Sequence, residues 1–209
     1  FLKKKNHILM GVLNLTPDSF SDGGKFNLFK KALKRIKNMI GSGADIINDV
    51  SCFTFDPNSL NTIKNQNLWK IIHHMQGTPQ TMQINPKYNN VILDIYDFFE
   101  SEIKKFKKLK YHKKIILDPG IGFGKNLKHN LMILNKISLF HSLGFPILIG
   151  TSRKRFISQI SREYDSKERI GGTLSSVIFS YTQGIKIFRV HDVREIKQGL
   201  LVFETVYNK

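Results

Sequence analysis

Ile8–Gly24 reads ILMGVLNLTPDSFSDGG, a short apolar run followed by a polar loop. The apolar run, Ile8–Leu13, has the length and the Ile/Val/Leu content of a buried parallel strand. The loop from Asn14 onward contains turn-forming residues, including Pro17. A strand that ends in a long polar loop is typical of βα units, in which the loops after the strands carry the chemistry.

Five more apolar runs follow, and longer amphipathic stretches separate them. The six runs are Ile8–Leu13, Ile46–Val50, Trp69–Met75, Lys114–Asp118, Pro146–Gly150 and Ile185–Val190. This alternation indicates βα units around a parallel sheet. The sequence therefore predicts a single α/β domain over residues 1–209, a TIM-barrel-like (β/α) fold or an open relative of one, with about six parallel strands.

Three of the intervening stretches carry apolar residues at helical spacing. They are 29–40, 91–109 and 131–140. Residues three and four apart lie on one face of a helix, so these stripes are interpreted as core packing. A last helix is predicted to begin at Asp192.

Composition limits the class of protein. Hydrophobic residues make up 41% and charged residues 23%, as in soluble globular proteins. The longest apolar runs are too short to cross a bilayer, so no membrane association is expected. Cys52 is the single cysteine, which excludes an internal disulfide and favours a reducing, cytoplasmic location.

The formal net charge of +17 raises the possibility of a nucleic-acid partner. The lysines, however, are scattered along the whole chain and form no stripe interleaved with aromatic residues. Such Lys/Asn/Ile enrichment is typical of an AT-rich coding sequence. We therefore expect no nucleic-acid partner, although part of the charge can steer anionic substrates toward a cleft.

Polar side chains follow the predicted strands at the end where a barrel carries its active site. Asn14 offers a neutral oxygen suited to Mg²⁺, and the Asn48 amide suits the edge of a heterocycle. The Asp118 carboxylate is costly to bury unless some group donates to it, and a ring with adjacent amino and N–H donors would do so in bidentate fashion. In the glycine-rich loop that follows, Phe123 offers an aromatic wall.

Two cationic clusters follow the last two strands. One is Gly150–Arg155, with the sequence GTSRKR, and the other is Arg189–Asp192, with the sequence RVHD. Arg189 can hold phosphate oxygens through paired N–H groups, and His191 can donate one more bond. Beside a helix N-terminus, these clusters predict an anion site.

The complete set of motifs resembles dihydropteroate synthase. In the order of that family, the motifs are MGVLNLTPDSFSDGG, GADIINDV, HHMQGTPQTMQ, LDPGIGFGKN, LIGTSRKRFI and IFRVHDV. The resemblance implies a transferase of folate biosynthesis. It would join 4-aminobenzoate to 6-hydroxymethyl-7,8-dihydropterin diphosphate, forming 7,8-dihydropteroate and releasing pyrophosphate. It also implies a homodimer.

The resemblance implies roles for individual residues. Asn48, Asp118 and Lys154 would hold the pterin, and Gly150 would line its pocket. Asp118, Lys154 and Arg189 would be the catalytic residues.

The same resemblance implies contacts for the other groups. Asn14, through Mg²⁺, would bind the diphosphate together with Arg189 and His191. The aminobenzoate would be bordered by Phe123, Ser152 and Lys154. Mg²⁺ and the cations would stabilise the leaving pyrophosphate.

The sequence departs from the family near residues 43–47. Family members carry a GADII-like motif before both their second and fourth strands, whereas this sequence has one such motif, Gly43–Ile47. About seventy residues and two βα units are interpreted as deleted, which predicts an incomplete barrel. A pterin-pairing aspartate and a Thr-Arg loop over the aminobenzoate would be lost with them. In addition, His73 stands where the family usually has methionine.

Several functions stay open on this sequence. The first is an active, shortened dihydropteroate synthase, and the second is a catalytically impaired remnant that binds pterin or phosphate. A pterin-binding methyltransferase fits poorly, because the two cationic clusters suit a diphosphate leaving group. A nucleic-acid binder is supported by charge alone.

Overall fold

The computed structural model describes residues 8–11, 46–48, 69–78, 80–110 and 114–207, the first two ranges by their backbone. Within these ranges the chain forms strands that pair in parallel. The strands are β1 (Ile8–Gly11), β2 (Ile46–Asn48), β3 (Trp69–His73), β4 (Ile115–Asp118), β5 (Leu148–Ile149) and β6 (Ile187–Val190). Each lies inside a predicted apolar run, so the prediction of a parallel α/β fold is confirmed.

The strands follow one another in the order expected around a barrel wall. Two three-stranded sheets have the orders β1-β6-β5 and β2-β3-β4. Leu117 of β4 forms a parallel bridge with Ile147, and its amide donates to the carbonyl of Pro146 at 2.9 Å. The combined order is therefore β1-β6-β5-β4-β3-β2, in which the last strand pairs with the first, as it does in a barrel.

Successive residues of each strand point to opposite faces of the sheet and so belong to two different apolar layers. One inner cluster takes one residue from each of four strands: Ile71, Ile116, Leu148 and Ile187. Their neighbours in sequence point the other way and join the core under the helices: Ile72, Leu117, Ile149 and Phe188. Each fully buried aliphatic side chain of this kind stabilises the fold by about 1.5–3 kcal/mol.

Five α-helices and one 3-10 helix cover this sheet in the described ranges. They are α1 (Val91–Lys108), α2 (Leu127–Asn135), the 3-10 helix Ile137–Leu143, α3 (Arg155–Ser161), α4 (Ile170–Thr182) and α5 (Val193–Tyr207). Asn90 caps α1 by accepting from the amides of Ile92 and Leu93 at 3.0 and 3.3 Å. Helix α5 begins directly after Asp192, as predicted. Among the described helices, none combines the length and apolar content needed to cross a membrane.

One predicted helix is wrong in detail. The stripe 131–140 predicts a continuous helix, but α2 ends at Asn135 and a 3-10 helix begins at Ile137. Since a 3-10 helix repeats every three residues, Ile137 and Phe140 can both be buried on one face. Leu131 is exposed instead. The stripe 91–109 is confirmed except for the exposed Leu109, whereas 29–40 lies outside the described residues.

Candidate active site

The alternation of the strands places a second layer above the inner apolar cluster. This layer contains the residues that lie two positions after the cluster residue of each strand, toward its carboxyl end. They are His73 in β3, Asp118 in β4, Gly150 directly after β5 and Arg189 in β6. Because side chains repeat every two residues in a strand, these four positions face the same way as the apolar cluster beneath them. His73 and Asp118 are partners in the β3–β4 register. Predicted site residues from three strands are thus brought together.

Asp118 is completely buried and is the centre of this layer. Its Oδ1 accepts from the amide of Gly120 at 2.8 Å, and its Oδ2 accepts from Nη1 of Arg189 at 2.8 Å. Nε2 of His73 lies 3.9 Å from Oδ2. Burial is the largest effect and by itself would raise the pKa of Asp118. The charges of Arg189 and His73 and the hydrogen bonds from Gly120 and Arg189 together outweigh burial, so the pKa is lowered. The carboxylate is therefore ionised at neutral pH.

The loop after β4 owes its path to glycine. Gly120 has φ +69°, a conformation that side chains rarely adopt, and a Cβ there would overlap the carbonyl oxygen of His74. Gly124 has φ +63°, and a Cβ there would overlap Gln76. The loops after β3 and β4 therefore pack backbone against backbone, which fixes the position of Phe123 between these glycines.

Gly120→Ala is expected to destabilise the fold by more than about 3 kcal/mol, because it adds a steric overlap to the cost of a left-handed backbone. Gly144→Ala is the matched control. Gly144 has φ +78°, but nothing lies within 4 Å of the Cβ that alanine would add. That control should lose only about 1–2 kcal/mol. Urea unfolding measures both, and equal losses would contradict a close approach of the two loops.

Phe123 and Lys154 form one side of the site. Nζ of Lys154 lies 4.0 Å from the centroid of the Phe123 ring, a cation–π contact. His73 meets the same ring edge-on, with the centroids 4.5 Å apart. Burial and the charge of Arg189 lower the pKa of Lys154 to about 8, against the opposite effect of Asp118. An ammonium group with this pKa is charged at neutral pH and close to titration.

Behind the Phe123 wall lies a buried pair that sequence reasoning missed. Nζ of Lys125 lies 2.9 Å from Nδ1 of His74 and donates to the carbonyl of Phe123 at 2.9 Å. Burial lowers the pKa of Lys125 to about 7, and burial with the charge of Lys125 lowers that of His74 to about 2. A neutral His74 can accept at Nδ1, so Lys125 ties the loops after β3 and β4 together.

The anion cluster is assembled from β5 and β6. Oγ of Ser152 accepts from the amide of His191 at 3.1 Å and lies 3.0 Å from its Nδ1. Burial and the nearby cation Arg153 lower the pKa of His191. A Cβ on Gly150 would come within 2.8 Å of Nη2 of Arg189, so glycine there leaves room for the guanidinium. Ser152, Lys154, Arg189 and His191 therefore surround one corner of the site.

Two predicted contacts are not resolved at side-chain level. Asn14 lies outside the described residues, and Asn48 is described by its backbone at the end of β2, where it pairs with Ile71. In the described part of the chain, no group of three or more His, Cys, Asp or Glu side chains could hold a metal ion. The predicted Mg²⁺ contact, Asn14, lies outside that part of the chain and stays a prediction.

Fold and site together define the class of the protein: a parallel α/β enzyme of the TIM-barrel type, with a buried carboxylate and a cationic corner at the carboxyl ends of its strands. The sequence profile described as "Pterin binding enzyme" matches residues 10–47 and 41–191. The chain is 32% identical to dihydropteroate synthase of Escherichia coli, covering 94% of this chain and 90% of that protein. The chain belongs to the dihydropteroate synthase family.

Solved structures agree with this assignment. Dihydropteroate synthase from Thermus thermophilus in complex with 4-aminobenzoate superposes with a TM-score of 0.84, at 26% identity over 96% of this chain and 95% of that one. The same enzyme in complex with 6HMPPP gives a TM-score of 0.78, at 27% identity over 96% and 94%. The family resemblance inferred from the motifs is confirmed.

Proposed function

We propose that this chain condenses 4-aminobenzoate with 6-hydroxymethyl-7,8-dihydropterin diphosphate, giving 7,8-dihydropteroate and pyrophosphate. The observation that carries the proposal is the ionised, fully buried Asp118, 2.8 Å from Arg189 and beside the Lys154–Phe123 contact. Asp118 accepts one bond from Gly120 and one from Arg189, and its remaining lone pairs can accept from the amino and ring N–H groups of a pterin. The relatives solved with 4-aminobenzoate and with 6HMPPP support both substrates.

The proposed chemistry displaces the diphosphate at the pterin methylene. The carbon–oxygen bond to the diphosphate would break first, and pyrophosphate would leave with the electron pair of that bond, so that a cationic pterin remains in the pocket. The amine nitrogen of 4-aminobenzoate would then form a bond to the methylene carbon and lose one proton. Asp118 would hold the pterin, and Phe123 would pack against the aminobenzoate ring.

Cations at the corner of the site would stabilise the leaving group. Arg189 and Lys154 can donate to phosphate oxygens as cations, and His191, whose pKa is lowered, can donate as a neutral imidazole. Each bond to the charged phosphate would contribute about 1.5–3 kcal/mol. Asn48 would contribute to the pterin pocket and Ser152 to the aminobenzoate side. Mg²⁺, bound through Asn14, would supply further charge neutralisation at the diphosphate.

We also propose that two βα units are deleted near residues 43–47. The two matches to the family profile overlap on residues 41–47. This overlap is expected if one GADII motif here aligns with both GADII-like motifs of the family. The alignment to the Escherichia coli protein runs over 256 positions, whereas the chain has 209 residues, so at least 47 positions lack a residue here. In the combined order β1-β6-β5-β4-β3-β2 of the described strands, β1 and β2 are the two edges. The barrel would therefore be incomplete, with about six strands.

The deletion favours a second candidate function, a remnant that binds pterin or pyrophosphate with impaired turnover. The test is to incubate the purified chain with Mg²⁺ and both substrates and to quantify dihydropteroate and pyrophosphate. We expect slow formation of both products in equal amounts. Calorimetric binding of the pterin without product at high protein concentration would support the remnant, and absence of both would exclude the site.

Arg189→Ala is expected to weaken pyrophosphate binding at least tenfold, because it removes the guanidinium from the corner where Lys154 and His191 converge. Arg162→Ala, at the exposed end of α3 and outside both cationic clusters, is the control and should change the affinity less than twofold. Isothermal titration with inorganic pyrophosphate measures both. An unchanged affinity of the Arg189 variant would remove this residue from the anion site.

We further propose a cytoplasmic homodimer. Helices α4 and α5 border an apolar groove lined by Leu174, Ile178, Val202 and Phe203, and Val202 is 61% exposed. A second copy would bury this apolar surface. Val202→Glu is expected to give monomers in sedimentation velocity, while the control Leu93→Glu, 58% exposed on α1, leaves the dimer intact. A monomeric parent protein would refute the proposal.

A further inference from the structure

Arg153 stands between Ser152 and Lys154 and adopts a left-handed backbone, with φ +60°. Its guanidinium makes two hydrogen bonds to the carboxylate of Asp192, from Nε to Oδ2 at 3.1 Å and from Nη2 to Oδ1 at 2.5 Å. Asp192 directly follows His191 in the sequence. The pair therefore joins the loop after β5 to the loop after β6 at the point where each carries anion-site residues.

The backbone of Arg153 is held from a third direction by α4 and its N-cap. Its amide donates to Oγ1 of the buried Thr173 at 3.2 Å, and its carbonyl accepts from Nη1 of Arg169 at 3.0 Å. Arg169 also donates to the carbonyls of Glu163 and Tyr164. With three anchors on one residue, the direction in which the neighbouring Ser152 and Lys154 leave the loop is fixed.

We infer that Arg153 and Asp192 are positioning residues for the anion corner. Their bidentate bonds hold the two loops in the register that brings Oγ of Ser152 within 3.1 Å of the His191 amide. Bidentate arginine–carboxylate pairs fix geometry as well as distance. The expected effect of losing this ion pair on turnover rests on the proposed function. Its expected effect on the position of His191 does not.

The decisive variant is Arg153→Gly. Glycine adopts a left-handed backbone without strain, so this variant removes the ion pair and leaves the preferred conformation of residue 153 accessible. Arg162→Gly is the matched control, since Arg162 is an exposed arginine with φ +59° at the end of α3. If the ion pair merely offsets backbone strain, Arg153→Gly behaves like the control.

We expect Arg153→Gly to lower kcat at least tenfold and to weaken pyrophosphate binding at least fivefold. Because Ser152 and Lys154 also border the aminobenzoate in the proposed function, the KM for 4-aminobenzoate should rise as well. Asp192→Asn should give the same pattern. The double variant should be no worse than the poorer single variant, because both remove one interaction. Arg153→Lys should recover part of the loss. Additive losses, or a fall in thermal stability with kcat and affinity unchanged, would overturn the inference.

A readout in the ligand-free protein completes the test. The imidazole resonances of His191, assigned by comparison with His191→Gln, are recorded well above the ordinary pKa of imidazole, where the ring is neutral with or without the Arg153 charge. At that pH they are expected to shift in Arg153→Gly and to stay in place in Arg162→Gly. Resonances that do not move in Arg153→Gly overturn the positioning role whatever the turnover assay shows. A shift without any pyrophosphate binding by the parent protein would support the positioning role and refute the proposed function.

Discussion

Asp118→Asn is expected to lower kcat/KM at least a thousandfold and to reduce pterin binding below detection by calorimetry. Asparagine keeps the shape of the side chain but loses the charge that the pterin donors need. Its amide group also presents N–H donors toward Arg189, whose side chain is only 13% exposed. A thousandfold loss corresponds to about 4 kcal/mol of transition-state stabilisation.

The same substitution should reduce stability, because breaking one side of a buried ion pair costs about 3–5 kcal/mol. Asp97→Asn on α1, where the carboxylate is exposed, is the control and should change neither stability nor activity measurably. The outcome that would contradict the assignment is an Asp118→Asn protein that binds the pterin with the affinity of the parent. Loss of binding by a properly folded variant, checked by circular dichroism, would support it.

The contribution of Asp118 to stability depends on pH in a defined direction. Its pKa is lowered in the folded protein, so it stabilises the fold above the pKa of the unfolded chain. That contribution is lost as the pH falls through the folded-state pKa. The difference in stability between the parent and Asp118→Asn should therefore shrink on acidification below the ordinary pKa range of an aspartate.

Much of the fold was predictable because burial on both faces makes parallel strands short and apolar. The inner cluster from Ile71 to Ile187 and the layer holding Asp118 and Arg189 follow from a period of two along those strands. The change to a 3-10 helix at Ile137 was not predictable from the apolar pattern, since both kinds of helix bury Ile137 and Phe140. Whether this segment forms an α-helix or a 3-10 helix depends on how the chain after it packs.

The site was predictable where a residue ends a strand and unpredictable where loops contact each other. Asp118, Gly150 and Arg189 end strands or directly follow them, so their common edge could be inferred. The Lys125–His74 contact joins residues 51 positions apart, and the Arg153–Asp192 pair joins residues 39 apart. No local sequence pattern predicts either contact. The position of Lys125 after three closely spaced glycines does indicate a residue close to the loop backbone. Such contacts depend on tertiary packing.

Lys154→Met is expected to lower kcat/KM at pH 7 at least a hundredfold, because it removes the ammonium between Phe123 and Arg189 while retaining an unbranched apolar chain. In the parent protein, the pKa of about 8 implies that the charged form is lost as the pH rises above 8. Activity and pyrophosphate affinity should therefore fall with a midpoint near pH 8. Lys154→Arg, which stays charged, should move this fall to much higher pH.

The pH profile separates Lys154 from its neighbour. Lys125 has a pKa of about 7, so any change that it causes occurs at lower pH and persists in Lys154→Met. Lys186→Met is the matched control, because Nζ of Lys186 lies 5.1 Å from the ring centroid of Tyr181 in another cation–π contact, at an exposed position. It should leave kcat/KM and its pH dependence unchanged. If kcat/KM and pyrophosphate affinity still fall near pH 8 in Lys154→Met, the titrating group is another residue. If that fall is absent in Lys154→Met, the Lys154 ammonium is the charge that the anion requires.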